Sequence, residues 1–345
     1  MVSPIVSDAI RTMPKAELHL HIEGTLEAEL AYELAERNAI ELPFAGLEDL
    51  KQRYHFTSLQ SFLDLYYQLM SVLRTADDFR DLVLAYMAKA NRAGVVRSEI
   101  FFDPQVHIAN GIDLDTVLDG LLSGMVLARE RYGISSGLIP CIVRDMPVES
   151  ALETIEALAP RADELLGLGL DSAEVGYPPE DFKDVFRRAG DLGLRLVAHA
   201  GEEGPASYVR QALDDLHVER VDHGIHSVED KDLIELLKHR QIPLTCCPLS
   251  NLKLQVVSDL GELPLRRLMA GGVPVTINSD DPAYFGGYID DNFDALSQIG
   301  FTLPELASMA ENSLNAAFVD DAERRTMLGS FAQWKRMHHE LLQRS

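Results

Sequence analysis

Two histidines in a short apolar stretch near the N-terminus have the spacing of a metal site. Residues 16–21 read AELHLH, which places His19 and His21 at alternate positions. If the stretch is a strand, side chains at i and i+2 point to the same face, so the two imidazoles converge. A metal ion is a common reason to hold two neutral imidazoles together, but half-exposed strand histidines have the same spacing. The pair is therefore a candidate for part of a metal site, and other residues of the chain must supply the remaining ligands.

Polar residues that suit the same chemistry recur where later apolar runs end. HAGEEG carries His199 and Glu202, VDHG carries His223, and NSDDP carries Asp280 and Asp281. Taken singly, each has a structural explanation, such as a core histidine, a turn, or a helix cap before a proline. Their presence at the ends of several separate runs favours one shared site.

The residue types in this set define a reaction class. Three imidazole nitrogens and one carboxylate suit Zn²⁺ with a position left for water, and the proposed ligands are His19, His21, His199 and Asp280. Zinc lowers the pKa of a bound water towards about 7, which makes hydroxide available.

Three further residues complete the predicted chemistry. Glu202 lies three positions after His199 and suits the group that takes and returns a proton. His223 suits a hydrogen bond to the attacking water or stabilisation of charge at the point of attack. Asp281 follows a proposed ligand and is predicted to bond the substrate. The set predicts a metal-assisted hydrolase.

The order of the apolar runs predicts how these residues are gathered. Eight runs alternate with amphipathic segments, which is typical of a parallel sheet covered by helices. Eight such units favour a closed (β/α)₈ barrel, in which catalytic groups lie at the C-terminal ends of the strands. An open doubly wound sheet is the alternative, but no GxGxxG follows an early strand. The predicted strands are 16–21, 95–102, 135–143, 165–170, 195–200, 220–224, 243–247 and 274–280, and the predicted helices between them include 114–131, 148–159, 180–192, 204–216, 229–239 and 262–270.

Two helical regions fall outside this alternation. Residues 25–93 predict a helical insertion after the first strand, within which 58–73 is predicted to lie as a lid over the site. Residues 303–342 predict helices packed on the outside of the barrel. The whole chain, 1–345, is expected to form one domain.

Composition narrows the partners. The 345 residues carry a formal charge of −24, which argues against nucleic-acid and anionic-membrane partners. Neither a long apolar span nor a signal peptide is evident. Three cysteines, two of them adjacent, do not form a disulfide framework, so a cytoplasmic location is expected. A small neutral substrate is compatible with this net charge. The sequence does not determine whether the chain forms a homo-oligomer.

Six segments carry a family resemblance. The stretches HLHIEGTLE, DSAEVGYPPE, HAGEEGP, RVDHGIHS, CPLSN and INSDDPAYF resemble, in order and spacing, the adenosine deaminase family of the amidohydrolase superfamily, from about residue 12 to about residue 318. The resemblance implies a (β/α)₈ barrel, one zinc ion per chain, and hydrolytic loss of ammonia from C6 of a 6-aminopurine. It also implies roles for Glu202 as the group that moves a proton to purine N1, His223 as the orienting histidine and Asp281 as the contact to N7. The zinc ligands that it implies are His19, His21, His199 and Asp280.

Departures from the family pattern point to the substrate. The resemblance to adenosine deaminases implies an aspartate that reaches the ribose at the position of Glu23. It implies a glycine beside purine N3 at the position of Glu174. A carboxylate at 174 is predicted to accept a hydrogen bond from N9–H, a donor that adenine has and adenosine lacks. Ser172 is a second candidate for this edge of the base. DSAEVGYPP and FFDPQVH (101–107) resemble the adenine deaminase branch of the family.

The sequence therefore predicts zinc-dependent deamination of adenine to hypoxanthine and ammonia. Adenosine or another 6-aminopurine nucleoside is the alternative substrate, and N6-substituted adenines stay open. Two other functions are also compatible with these residues. One is a zinc hydrolase with this barrel that acts on an amide or lactam, and the other is a binding protein without catalytic activity. Ligand types alone do not separate zinc from iron or manganese.

Overall fold

A computed structural model describes residues 4–54, 56 and 59–343. Within them, eight strands pair in parallel, each with its sequence neighbour, in the order β1 to β8. This order confirms the predicted barrel and excludes the doubly wound sheet, in which the strand order reverses partway. The strands are β1 Lys15–His21, β2 Val95–Phe102, β3 Ser135–Val143, β4 Gly167–Asp171, β5 Arg195–Ala200, β6 Arg220–His223, β7 Leu244–Cys246 and β8 Val275–Ile277.

The residues that follow β8 join the last strand to the first. The amide of His21 donates to the carbonyl of Asp280 (3.0 Å), and the amide of Asp280 donates to the carbonyl of His19 (3.1 Å). A parallel bridge between Leu20 and Asp280 results. Closure of the barrel thus places three of the predicted ligands side by side.

Helices follow the strands as predicted, and most predicted bounds agree to within a few residues. The α-helices are α1 Pro4–Thr12, α2 Ala28–Arg37, α3 Leu47–Arg53, α4 Leu59–Met70, α5 Ala76–Arg92, α6 Pro104–Ala109, α7 Leu114–Tyr132, α8 Val148–Leu158, α9 Lys183–Asp191, α10 Ala206–Asp214, α11 Lys231–Arg240, α12 Pro248–Lys253, α13 Leu265–Ala270, α14 Pro282–Phe285, α15 Ile289–Gln298, α16 Leu303–Ala316, α17 Asp321–Met337 and α18 His339–Leu342.

The insertion after β1 is helical, as predicted. It contains α2 to α5. The segment predicted as a lid, 58–73, consists mostly of α4, and its first residue lies outside the described residues. Thr75 caps α5 through a reciprocal pair of hydrogen bonds with Asp78, which fixes where that helix begins.

Two apolar layers hold the barrel together. Inside it, Phe101, Ile139, Cys141 and Val197 form a small buried cluster. The larger core lies between the strands and the surrounding helices. The C-terminal helices pack on the barrel as expected, with the Ser313 hydroxyl of α16 accepting a hydrogen bond from the Ala16 amide in β1 (2.9 Å). Among the described helices, none combines the length and the apolar character needed to span a bilayer.

Candidate active site

The predicted ligands and catalytic residues meet at the C-terminal mouth of the barrel. His19 and His21 lie in β1, His199 in β5 and His223 at the end of β6, and Asp280 follows β8. His223 and Asp280 adopt left-handed backbone conformations, with φ of 61° and 64°. Such conformations cost about 1–3 kcal/mol each for residues other than glycine and are concentrated at functional sites.

Four donor atoms converge as a metal ion requires. His19, His21, His199 and Asp280 each offer one atom within 4.8 Å of the others, and all four residues are buried. Nε2 of His21 lies 3.2 Å from Nε2 of His199, and Oδ1 of Asp280 lies 3.3 Å from His19 Nε2. Ligands at zinc bond lengths in a tetrahedron are about 3.4 Å apart. His19 Nε2 is buried without a hydrogen-bond partner among the described residues, as expected of a ligand atom.

The opposite nitrogen of each histidine faces a supporting group. His19 Nδ1 bonds to the Thr245 hydroxyl (3.0 Å), which donates to Asp222 Oδ1 (2.7 Å). His199 Nδ1 lies 3.7 Å from the other oxygen of Asp222, and His21 Nδ1 lies 3.5 Å from Asp171 Oδ2. Such partners set the tautomer and leave Nε2 free to bind a metal.

Burial favours the neutral, ligand-competent form of two of the imidazoles: it lowers the pKa of His21 to about 4 and holds the pKa of His199 well below its ordinary value. For His19 the effect of burial is outweighed by the neighbouring Asp280 carboxylate, which raises its pKa. The ring of Phe101 lies 5.3 Å from that of His19 and 5.1 Å from that of His21, which gives the site an apolar floor.

Glu202 and His223 lie together beside the ligands. Oε2 of Glu202 is 3.5 Å from Nε2 of His223, which in turn is 3.8 Å from Oδ2 of Asp280. Burial, with the charge of Asp280 nearby, raises the pKa of Glu202 well above its ordinary value. Burial lowers the pKa of His223 to about 3. These shifts favour a protonated carboxyl beside a neutral imidazole, a pair that suits proton transfer.

A cleft with about 410 Å³ of empty space, open solvent included, lies above these residues. Its walls include the predicted substrate residues Asp281 and Ser172. Helix α4 contributes Tyr67, whose hydroxyl is 3.0 Å from the Ser172 hydroxyl. The remaining walls are His21, Phe62, Leu63, Tyr66, Asp103, Asp171, His199, Glu202, His223, Leu254, Asp280 and Phe285.

The structure does not bring Glu174 to this cleft. Its carboxylate is buried and accepts hydrogen bonds from four backbone amides, those of residues 201–204. The predicted contact with N9–H of the base needs an acceptor facing the cleft, so this geometry does not support it. The reason is local, because the connection after β4 turns Glu174 towards the loop that follows β5.

Glu23 is also turned away from the cleft. Its carboxylate accepts hydrogen bonds from His107 Nε2 (2.8 Å) and from the Asp103 amide (3.1 Å). The residue at the position of the ribose contact is therefore tied to α6 and to the end of β2.

Several residues of the site escaped the sequence prediction. Asp103 and Asp171 line the cleft, and Asp222 supports two ligands. Asn251 Nδ2 donates to Glu202 Oε1 (3.2 Å). A signal was available for most of them, because Asp103 and Asp171 directly follow predicted strands and Asn251 lies in the segment after another, whereas Asp222 lies inside a predicted strand.

Comparison with known proteins shows which family this chain resembles. The family model described as adenosine deaminase matches residues 14–334. An adenine deaminase of Streptomyces coelicolor is 54% identical over 317 residues, which cover 92% of this chain and 93% of the relative. An adenine deaminase of Cupriavidus pinatubonensis is 49% identical over 328 residues, covering 95% and 93%.

Solved structures agree with this placement. The crystal structure of adenine deaminase from Arthrobacter aurescens superposes with a TM-score of 0.92 at 50% identity, covering 94% of this chain and 99% of that one. A zinc-bound amidohydrolase from Burkholderia ambifaria gives a TM-score of 0.89 at 27% identity, covering 99% and 96%. The chain belongs to the adenosine deaminase family.

Proposed function

We propose that this chain catalyses the hydrolytic deamination of adenine to hypoxanthine and ammonia with one zinc ion. The observation that carries the proposal is the convergence of three imidazole Nε2 atoms and the Asp280 carboxylate beside the Glu202–His223 pair. Relatives about half identical over most of the chain bear the name adenine deaminase, which supports this substrate.

The donor set fits zinc in type and spacing. Zinc takes nitrogen and carboxylate ligands, and the supporting contacts to Asp222 and Asp171 orient the imidazoles. The zinc-bound amidohydrolase that shares the fold supports the same metal. When bound, the ion acts as a Lewis acid that lowers the pKa of water.

Glu202 and His223 divide the proton movements. The protonated Glu202 carboxyl donates to N1 of the base, which makes C6 more electrophilic. Neutral His223 accepts a hydrogen bond from the attacking water and aligns it with C6. The water oxygen bonds to C6. One of its protons returns to Glu202, which has given its own proton to N1, and the other passes through His223 to N6. Cleavage of the C6–N6 bond then releases ammonia and leaves the carbonyl of hypoxanthine.

Residues on two sides of the cleft position the base. Asp281 is assigned to N7. At the opposite edge, adenine presents N3 as an acceptor beside N9–H as a donor. Burial and the neighbouring Asp171 raise the pKa of Asp103 well above its ordinary value, which favours its protonated form. A protonated carboxyl matches both groups at once, by donating to N3 and accepting from N9–H. Ser172, on the same wall, assists this edge.

A labelled-water experiment tests the reaction. The metal-loaded protein is incubated with adenine in H₂¹⁸O, and hypoxanthine and ammonia are quantified. We expect equal amounts of the two products and one ¹⁸O atom in hypoxanthine. Glu202→Gln should stay folded and metal-loaded and lose about 10²–10⁴-fold in turnover. Unlabelled product, no product, or near-normal turnover by the variant would contradict the proposal.

A further inference from the structure

The carboxylate of Glu174 lies inside a cradle of backbone amides. Oε1 accepts from the Gly201 amide at 2.6 Å. Oε2 accepts from the next three amides, at 3.0 Å from Glu202, 2.9 Å from Glu203 and 2.9 Å from Gly204. Four converging N–H groups form an anion-binding concavity, and here a side chain of the chain itself occupies it.

The loop is shaped around this carboxylate. A Cβ atom on Gly204 would lie 2.6 Å from Glu174 Oε1 and 2.7 Å from Cδ2 of Tyr208, so a side chain at this position would press on both the carboxylate and that ring. Gly201 adopts φ of 72°, a conformation that L side chains rarely take. Both glycines are therefore needed for the amides to turn towards Glu174.

A buried arginine holds the same segment from its other end. Arg144 Nη1 donates to the carbonyl of the ligand His199 (2.7 Å), and its Nε and Nη2 donate to the Tyr177 carbonyl (2.9 and 2.7 Å). The connection that carries Glu174 is thus bonded to the end of β5 through a cation and an anion. Glu202 lies within the second attachment, since its own amide is one of the four that Glu174 accepts from.

We propose that Glu174 is a positioning residue that aims the Glu202 carboxyl at N1 of the base. By holding the amides on both sides of Glu202, it restricts the backbone from which that side chain extends. The side chain is then placed 3.5 Å from His223 Nε2 and within hydrogen-bond distance of Asn251. This inference rests on the proposed function, and it replaces a direct contact between Glu174 and the base.

Chemical rescue tests this role. Glu174→Ala leaves a space lined by four N–H donors near Arg144, which suits a small carboxylate. We expect kcat for adenine to fall about 10²-fold, as for a catalytic group displaced by about 1 Å. KM should change less than about threefold and metal content should stay full. Sodium formate should restore kcat in a saturable manner, whereas sodium chloride at equal ionic strength should not.

Matched variants sharpen the result. Glu180→Ala removes an exposed carboxylate from the same connection and should keep wild-type kcat with no response to formate. Gly204→Ala should displace the Glu174 carboxylate and lower kcat at nearly constant KM. It keeps the assignment testable if Glu174→Ala fails to fold.

Three outcomes would overturn the assignment. They are wild-type kcat in Glu174→Ala, no formate rescue of a folded and metal-loaded variant, or a raised KM for adenine with unchanged kcat and improved use of adenosine. The last would restore the direct contact with the base. If the wild-type protein itself does not deaminate adenine, the proposed function fails, and that result is distinguished from a loss confined to the variants.

Discussion

The protonation state of Glu202 is the property of a single residue on which the proposed chemistry depends most. Burial raises its pKa, while the hydrogen bond from Asn251 acts in the opposite direction by stabilising the ionised form. Because the protonated form donates to N1, activity should be lost as pH rises through this pKa. The basic limb of the pH profile of kcat/KM therefore reports on Glu202.

Asn251→Ala should shift that basic limb to higher pH. Loss of a hydrogen bond to a charged group is worth about 1.5–3 kcal/mol, and one pKa unit corresponds to about 1.4 kcal/mol, so the shift should be about one pH unit or more. The measurement is kcat/KM for adenine across pH. The exposed Asn315→Ala is the matched control. A shift of the limb to lower pH would contradict the role assigned to Glu202.

Asp103 offers a second test at the residue scale. An amide can donate to N3 and accept from N9–H as a protonated carboxyl does, so Asp103→Asn should keep kcat/KM for adenine within about tenfold. Asp103→Ala leaves both groups of the base unpaired and should lose about 10²-fold. Steady-state kinetics on adenine decide between them. Equal losses in the two variants would argue against the pairing.

Sequence reasoning succeeded where the side-chain type itself indicates the chemistry and failed where the partners are backbone amides. His19, His21, His199 and Asp280 stand at strand ends, and the barrel brings strand ends together. The partners of Glu174 are backbone amides about thirty positions away, at residues 201–204. Every residue except proline has a backbone amide, so the sequence does not show which amides will bind a side chain. It therefore could not show whether Glu174 contacts the base or the loop.

At the scale of elements, the strands were predictable because a buried parallel strand is a nearly continuous apolar run. β2, β3 and β5 have the predicted bounds, whereas β8 ends at Ile277, three residues before the predicted end. Residues 278–280 leave the regular ladder because Asp280 takes a left-handed conformation to face the ligands. The regular strand β8 is therefore shorter than predicted, because the residues after it position a metal ligand.

Helix α4 is joined to the β4 wall of the cleft by the hydrogen bond between Tyr67 and Ser172. Loss of one neutral hydrogen bond is worth about 1 kcal/mol, so Tyr67→Phe should lower kcat/KM for adenine about fivefold, mainly through KM. Tyr132→Phe, at the C-terminal end of α7 and not among the residues that line the cleft, should behave as wild type. A fall in kcat at constant KM would place the effect of Tyr67 in the chemical step instead.

At the scale of the whole molecule, the metal ligands link the first, fifth and last strands, so metal binding should stabilise the fold. A ligand present at about 1,000 times its Kd adds about 4 kcal/mol. Chelation should therefore lower Tm by at least about 5 °C and abolish turnover, and zinc should restore both. Calorimetry with and without chelator measures this.

His199→Ala is the matched control for chelation, because it lacks one ligand and should respond much less. An unchanged Tm on complete removal of metal from the wild-type protein would show that the four residues contribute nothing through a metal to global stability.

The most direct test of the central claim compares adenine with adenosine on one preparation of measured metal content. The loss of absorbance that accompanies deamination gives kcat/KM for each substrate. The proposed site predicts a preference for adenine of at least about 10³-fold. The base edge that would carry the ribose is assigned to Asp103, which lines the cleft, and Glu23 is bonded to His107. Equal rates, or a preference for adenosine, would contradict the assignment of this cleft to the free base.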